Sequence, residues 1–551
     1  MKNEADVNSV IISNAEESGV PGVKKDEAEL AKMGYKQELR REFGLLQNFG
    51  VSFSVVSVLT GIPSLFLYGL NTGGPAVMVW GWLITAFCTM LVGLGMADSD
   101  VLLESAHPTS GGPYYWAAML ANPKNAPLVS WITGWFNLLG QVAVTTGISF
   151  ACASFLSTIC TLKSSFVPTP ETTIGFYAAV LVAQGLVNTF GVHHILHHLN
   201  TVSIWLHALG TFVVVIVILA KAPTHQNAKF VFQTFIDRTG VDPDVGWGAR
   251  ASNAYVAVIG ILMAQVRFLR FNASAHLTEE TKNAAMSGSI GIIMAIGVSG
   301  VLGWFFILGL LFSIQDLDAV VNSKTGQPVT QIFLDAVGEN GAIVLMVIVT
   351  AAMFCCGTFS ITSNSRMMYA FARDGGIPGH RFFAKVDDKW KSPILWLACT
   401  LSFILGLPSL GSAVAFSAAT SIATIGLFIS YGIPIALRVI YRHRFTRGPF
   451  HLGKLSYPIA LGAIAWVVFL SVVFILPQVN PVNSQTLNYA VVAVAIVVLY
   501  SIGFWFISAR KWFVGPIKQI DRALFFVSEG FLMNEKTEET RETKIGSSNE
   551  Y

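Results

Sequence analysis

Charge and cysteine are what this sequence has least of. Only 12% of its 551 residues are Asp, Glu, Lys or Arg, while 53% are hydrophobic; a soluble domain carries about 25% charged residues. A chain so short of charge cannot coat itself with polar surface, which excludes a water-soluble globular protein. The six cysteines, Cys88, Cys152, Cys160, Cys355, Cys356 and Cys399, all fall in apolar stretches and make no metal-type spacing. They read as small core residues rather than disulfides or a metal site. The first 44 residues contain no signal-peptide core, so the first apolar span must act as its own membrane signal. Gly111-Gly112 is not followed by GK[ST], which excludes a phosphate loop. No nucleophile, base and orienting group assemble into a catalytic set. No enzyme activity, cofactor or nucleic-acid partner is expected.

What the sequence does have is long apolar runs. A bilayer crossing needs about 20 such residues. Twelve candidates occur, at roughly 47–70, 76–97, 128–158, 173–191, 199–220, 253–276, 288–313, 340–366, 393–409, 412–438, 457–477 and 487–508. The expected fold is an all-α polytopic membrane protein of twelve transmembrane helices. Lys and Arg set its orientation. With the N-terminus in the cytoplasm, 27 of these residues lie in cytoplasmic segments and six in outer loops, so both termini are expected to be cytoplasmic. The tails, about 1–44 and 510–551, are polar and rich in Glu, Lys and Ser, the composition of disordered segments. Tryptophans near span ends, Trp80, Trp82, Trp304, Trp505 and Trp512, fit interfacial belts.

Two spans carry residues that a lipid-facing helix does not tolerate. Span one reads Leu59-Thr60-Gly61-Ile62-Pro63. Pro63 lacks a backbone donor and Gly61 permits unusual dihedrals, so the helix is expected to be interrupted there or, on the alternative reading, simply kinked. Span six contains Arg267, Arg270 and Asn272 near mid-membrane. Intramembrane charge marks a functional site by default; the alternative is that the span edges differ and the arginines snorkel. Spans one and six occupy corresponding positions in two sets of five. Transporters built from inverted repeats place broken helices and substrate at such positions.

Four stretches resemble one family. They are Gly34–Arg41 with Phe49–Ser54 and Thr60–Pro63; Pro108–Trp116 with Gly134–Asn137; Ala273–Ala284; and Ser363–Pro378. They resemble the amino acid–polyamine–organocation (APC) superfamily, in the amino acid/choline transporter branch that includes fungal GABA permeases and plant bidirectional amino acid transporters. The resemblance implies a five-plus-five inverted-repeat fold plus two extra helices: residues 45–220 form the first repeat, 221–440 the second, and 441–509 the last two helices. It also implies alternating access, usually proton-coupled. Thr60, Gly61 and Ile62 would offer backbone groups to a substrate carboxylate. Phe268, Leu269, Arg270, Phe271 and Asn272, with Asn137, would line the rest of the substrate site. Glu279, Glu280, Arg366, Arg373, Arg40 and Arg41 would form a cytoplasmic gate.

The chain departs from the family where relatives read like Tyr-Thr-Leu-Thr-Gly-Tyr-Asp before Ala-Ser-Ala-His. Here Val266-Arg267-Phe268-Leu269-Arg270-Phe271-Asn272 stands instead, with Arg for Gly and Asn for Asp. A cationic head group would be repelled by Arg270, which favours a zwitterionic or acidic amino compound. His207, deep in span five, is the proton-coupling candidate, since imidazole titrates near neutrality; a hydrogen-bonded core histidine is the alternative. His193, His194, His197 and His198 read as surface histidines at a helix end rather than a metal site. The expected function is a proton-coupled permease for amino acids or GABA-like compounds in the plasma membrane or an internal one. Alternatives are a permease for choline, thiamine or polyamines, and a transport-inactive nutrient sensor.

Overall fold

The computed structural model describes residues 43–97, 109–191, 195–241, 243–385, 394–410, 415–441 and 452–516. Within these, eleven helices are long and apolar enough to cross a bilayer, and a shorter apolar helix spans Ile394–Leu410. Lipid offers backbone groups no hydrogen bonds, so the chain satisfies them internally as helix. The eleven fall on eleven of the predicted spans, and the short helix falls on the ninth.

The differences have local causes. The eighth segment starts at Pro328, not near 340, and runs to Arg373 through a kink at Gly338 (φ 70°, ψ 178°). Glycine alone tolerates that conformation, so the polar first turns join the span at an angle. Pro113–Leu120 forms a further short helix, with Pro113 in its first turn after Gly112 at φ 55°. The loop after the fifth segment contains short helices at Ala228–Gln233 and Trp247–Arg250.

The helices divide into a buried core and a lipid-facing shell. The first span is 89% buried over its most apolar window and the last only 17%. The third, sixth, eighth and tenth segments are also mostly buried, while the fourth, fifth and eleventh are not. Small residues let the core helices approach closely. A Cβ on Gly426 of the tenth would stand 3.0 Å from Cα of Gly140 on the third. Among the cysteines, Cys160 is exposed and Cys88 partly so; the other four are buried. Trp82 is also fully buried, with its indole donating to Gly300 O at 2.8 Å, because Gly303 opens a slot for it; it is a core residue and not part of a belt.

Both described ends of the chain lie on one face, here the tail face. Phe43 N–H donates to Glu280 O at 3.0 Å and Lys282 N–H to Phe43 O at 2.8 Å, while Trp512 stacks on His380. The opposite, loop face carries residues 222–252. Val241 N–H donates to Asn480 O and Asn480 N–H to Thr239 O, both at 2.8 Å, and Arg238 pairs with Asp318 at 2.5 Å.

Candidate functional site

The first span is two helices, Leu45–Val56 and Val58–Asn71, joined at Ser57, which is left-handed (φ 41°, ψ 75°). Ser57 N–H closes the lower helix on Phe53 O, and Gly61 N–H opens the upper one on Ser57 O. The carbonyls of Ser54, Val55 and Val56 and the amides of Val58, Leu59 and Thr60 therefore lose their helical partners. The expected break at Gly61–Pro63 is corrected: residues 58–64 are helical, Pro63 lies in the second turn, and the interruption falls four residues before Gly61. Proline there deletes one bond only.

A left-handed serine is disfavoured and needs support. His207 and Thr60 give it. His207 Nδ1 lies 2.7 Å from Ser203 O, which only accepts, so Nδ1 carries the proton. Its Nε2, 2.8 Å from Ser57 Oγ, therefore accepts from that hydroxyl, and Thr60 Oγ1 completes the chain at 2.5 Å.

The sixth span leaves α-helical bonding after Gln265. Val266–Ala273 and Ala275–Glu280 are 3₁₀, runs longer than the geometry sustains unaided. Side chains of neighbouring spans hold them. Tyr431 Oη donates to Leu269 O at 3.1 Å, Ser52 Oγ donates to Phe271 O at 2.8 Å, and Ser274 N–H donates to Ser52 Oγ at 2.9 Å. Phe268 packs on Trp82 with ring centres 4.9 Å apart, and Phe271 on Tyr431 at 5.3 Å.

The two arginines of this segment do not snorkel. Arg267 and Arg270 are 3% and 5% exposed. In a 3₁₀ helix residues three apart eclipse, so both project from one side. That side meets the broken span. Arg270 Nη1 donates to Val55 O, one of the carbonyls freed by the break, at 3.3 Å, and Cys356 Sγ donates to the same oxygen at 3.4 Å. Arg267 crosses the bare face of Gly61 and its Nη2 donates to Ser64 Oγ at 3.1 Å.

A cavity of about 450 Å³ descends from the loop face to Pro63 and Ser64. Tyr68, Asn71, Phe150 and Gln478 form part of its wall. Ser64 thus joins the cavity floor to Arg267. Thr60, Gly61, Ile62 and Phe268–Asn272 are buried around the break, below this floor rather than in the cavity wall. Asn137 stands apart, 13 positions from Phe150 on the third helix, about 20 Å at 1.5 Å per residue. It is fully buried and neither amide atom has a partner among the described residues. Sequence reasoning missed Ser57 and Ser64 altogether.

Toward the tail face stand two ion pairs. Glu279 is fully buried; Arg373 reaches both its oxygens, at 3.2 and 3.3 Å, and Ser110 N–H donates to Oε1 at 3.0 Å. Arg366 pairs with Glu280 at 2.5 Å. Asn272 belongs to this end as well as to the break. Its Nδ2 lies 3.2 Å from His276 Nε2, and His276 Nδ1–H donates to Ser110 O at 3.0 Å. The His276 ring lies beside Gly112, whose positive φ and missing side chain make the close approach possible. The motif Ala-Ser-Ala-His contained that histidine, yet its role was not read. Arg40 and Arg41 lie outside the described residues, as do His193 and His194; His197 stacks on Phe43. Among the described residues no group of three or more His, Cys, Asp or Glu is placed to hold a metal.

Comparison with known sequences decides the family. A family model described as "Amino acid permease" matches residues 43–499. This chain belongs to the amino acid permease family. Among similar permeases, BAT1 of Arabidopsis thaliana is 41% identical over 522 residues, covering 92% of this chain and 99% of that one. A BAT1 homologue of Oryza sativa is 42% identical, covering 90% and 96%. The GABA-specific permease of Saccharomyces cerevisiae is 32% identical, covering 88% and 85%. The chain is thus a multi-pass membrane permease of the APC superfamily, and the relatives are named as transporters, not enzymes. Within this permease the two broken segments, the cavity above them and the ion pairs below form one column through the core.

Proposed function

We propose that this permease is a secondary transporter that moves an amino acid or GABA-like compound by alternating access, in a state open on the loop face. One observation carries the reading: a cavity reaches Ser64 from one side, while the buried ion pair Glu279–Arg373 and the partly buried pair Glu280–Arg366 close the other. Two charge pairs that close in one state and part in the other are the bistable element such transport needs.

The reading takes the short helix Ile394–Leu410 as a ninth crossing, giving twelve, arranged as two five-helix repeats, 45–220 and 221–440, followed by two further helices. The excess of Lys and Arg makes the tail face cytoplasmic. The substrate sits at the break, its carboxylate received by the amides released beyond Ser57 and its remainder among Gly61, Ile62 and the 268–272 segment, while Glu279, Glu280, Arg366 and Arg373 gate the cytoplasmic mouth. Protons couple through His207: a proton added at Nε2 turns that atom from acceptor to donor, so the Ser57 hydroxyl must rotate to accept from it and the hydrogen-bond chain through Thr60 that supports the break is re-ordered. Uptake of labelled amino acids and GABA in a permease-deficient host, with proton flux measured alongside, tests the reading. No uptake by correctly inserted protein overturns it.

A further inference from the structure

The sixth segment carries two cations that no carboxylate answers. Among the described residues neither Arg267 nor Arg270 has an ion pair, and the Nε of each has no hydrogen-bond partner. The nearest acidic residues along the chain, Glu279 and Glu280, are engaged by Arg373 and Arg366. Burying an unpaired cation at this depth is costly, and two on one side of a helix repel each other. The free amides of Val58, Leu59 and Thr60, the positive end of the upper helix, stand in the same break. Of the carbonyls freed at the break, Val55 O is already answered by Arg270 and Cys356. Those of Ser54 and Val56 can take an ammonium group, but no side chain here among the described residues supplies a full negative charge to the two guanidinium groups, and Asn272 stands as a neutral amide.

Resting on the transport reading, we propose that this site takes an amino acid with a side-chain carboxylate. The amides beyond Ser57 receive one carboxylate. Arg267, met first behind the Ser64 hydroxyl at the cavity floor, and Arg270 beneath it receive the other in charge-assisted hydrogen bonds. A compound with a single carboxylate, held at the amides, leaves both guanidinium groups unanswered, and a basic amino acid brings a side-chain cation toward them.

The test is uptake of labelled L-glutamate, L-aspartate, GABA, L-alanine and L-lysine by a permease-deficient host carrying the wild-type chain or Arg270→Gly. The wild type should favour the acidic pair by about tenfold or more, and Arg270→Gly should erase that preference, the size expected for one lost charged contact. Preference for GABA, alanine or lysine overturns the proposal and leaves the transport reading intact. Thermal stabilisation of the purified full chain, which does not depend on the variant folding, is the second measurement. Stabilisation by glutamate well above that by GABA or chloride supports the proposal; equal stabilisation by all three overturns it. Selective stabilisation by glutamate without uptake of any compound would sink transport while retaining the ligand class.

Discussion

The imidazole of His207 reaches 150 positions along the chain to accept a hydrogen bond from Ser57, the one residue that separates the two halves of the first span. A titratable ring and a backbone break are thereby a single unit. Removing the ring should leave the break without its support.

His207→Gln tests the unit. The amide can still reach Ser57 but cannot take up a proton. Uptake is expected to lose its dependence on external pH while the protein still inserts, measured by transport across a series of external pH values. A pH profile like the wild type would remove His207 from the coupling step.

Ser57→Gly separates conformation from hydroxyl. Glycine removes the left-handed penalty of about 1–2 kcal/mol and gives up two hydrogen bonds of about 1 kcal/mol each. The midpoint of thermal unfolding should move little, whereas pH dependence should flatten as in His207→Gln.

Gly61→Ala should act through Arg267. A Cβ at this position would stand 2.4 Å from Arg267 Cδ and 2.6 Å from Nη1. The side chain must leave Ser64. Overpacking of this kind costs about 1–3 kcal/mol, and uptake should fall by about tenfold. Unchanged uptake kinetics would show that Arg267 has no part in binding.

Glu279→Gln should unlatch the tail face. It removes the negative charge that holds Arg373 through two hydrogen bonds, which should weaken the latched state. A cysteine placed at Ser64 should then react more slowly with a membrane-impermeant thiol reagent added from the loop face. Exchanging the pair, Glu279→Arg with Arg373→Glu, should restore part of the reactivity.

The helices were legible because lipid imposes a length and a composition that any stretch of about 20 residues reveals. The start of the eighth was misjudged because Gly338 joins polar turns to it at an angle that composition does not register. The sixth span announced its irregularity through Arg267, Arg270 and Asn272. The position of the break in the first span did not show. Gly61 and Pro63 pointed to the right neighbourhood, but the bend is fixed at Ser57 by a histidine from another helix, and no local pattern encodes such a partner. For the same reason Ser64 drew no notice. Its part depends on a cavity and on an arginine 203 positions away. That Glu279, Glu280, Arg366 and Arg373 gather at one mouth followed only from the family resemblance; which carboxylate meets which guanidinium did not show, since the partners are 94 and 86 positions apart.

The bond pair between Asn480 and residues 239 and 241 ties the linker leading into the sixth segment to the linker between the last two helices. On the transport reading, a tilt of the upper end of the sixth segment would have to drag that final helical hairpin or tear the strap. The last two helices would then be geared to that tilt, and shortening the 474–489 connection would stiffen it from outside the substrate column.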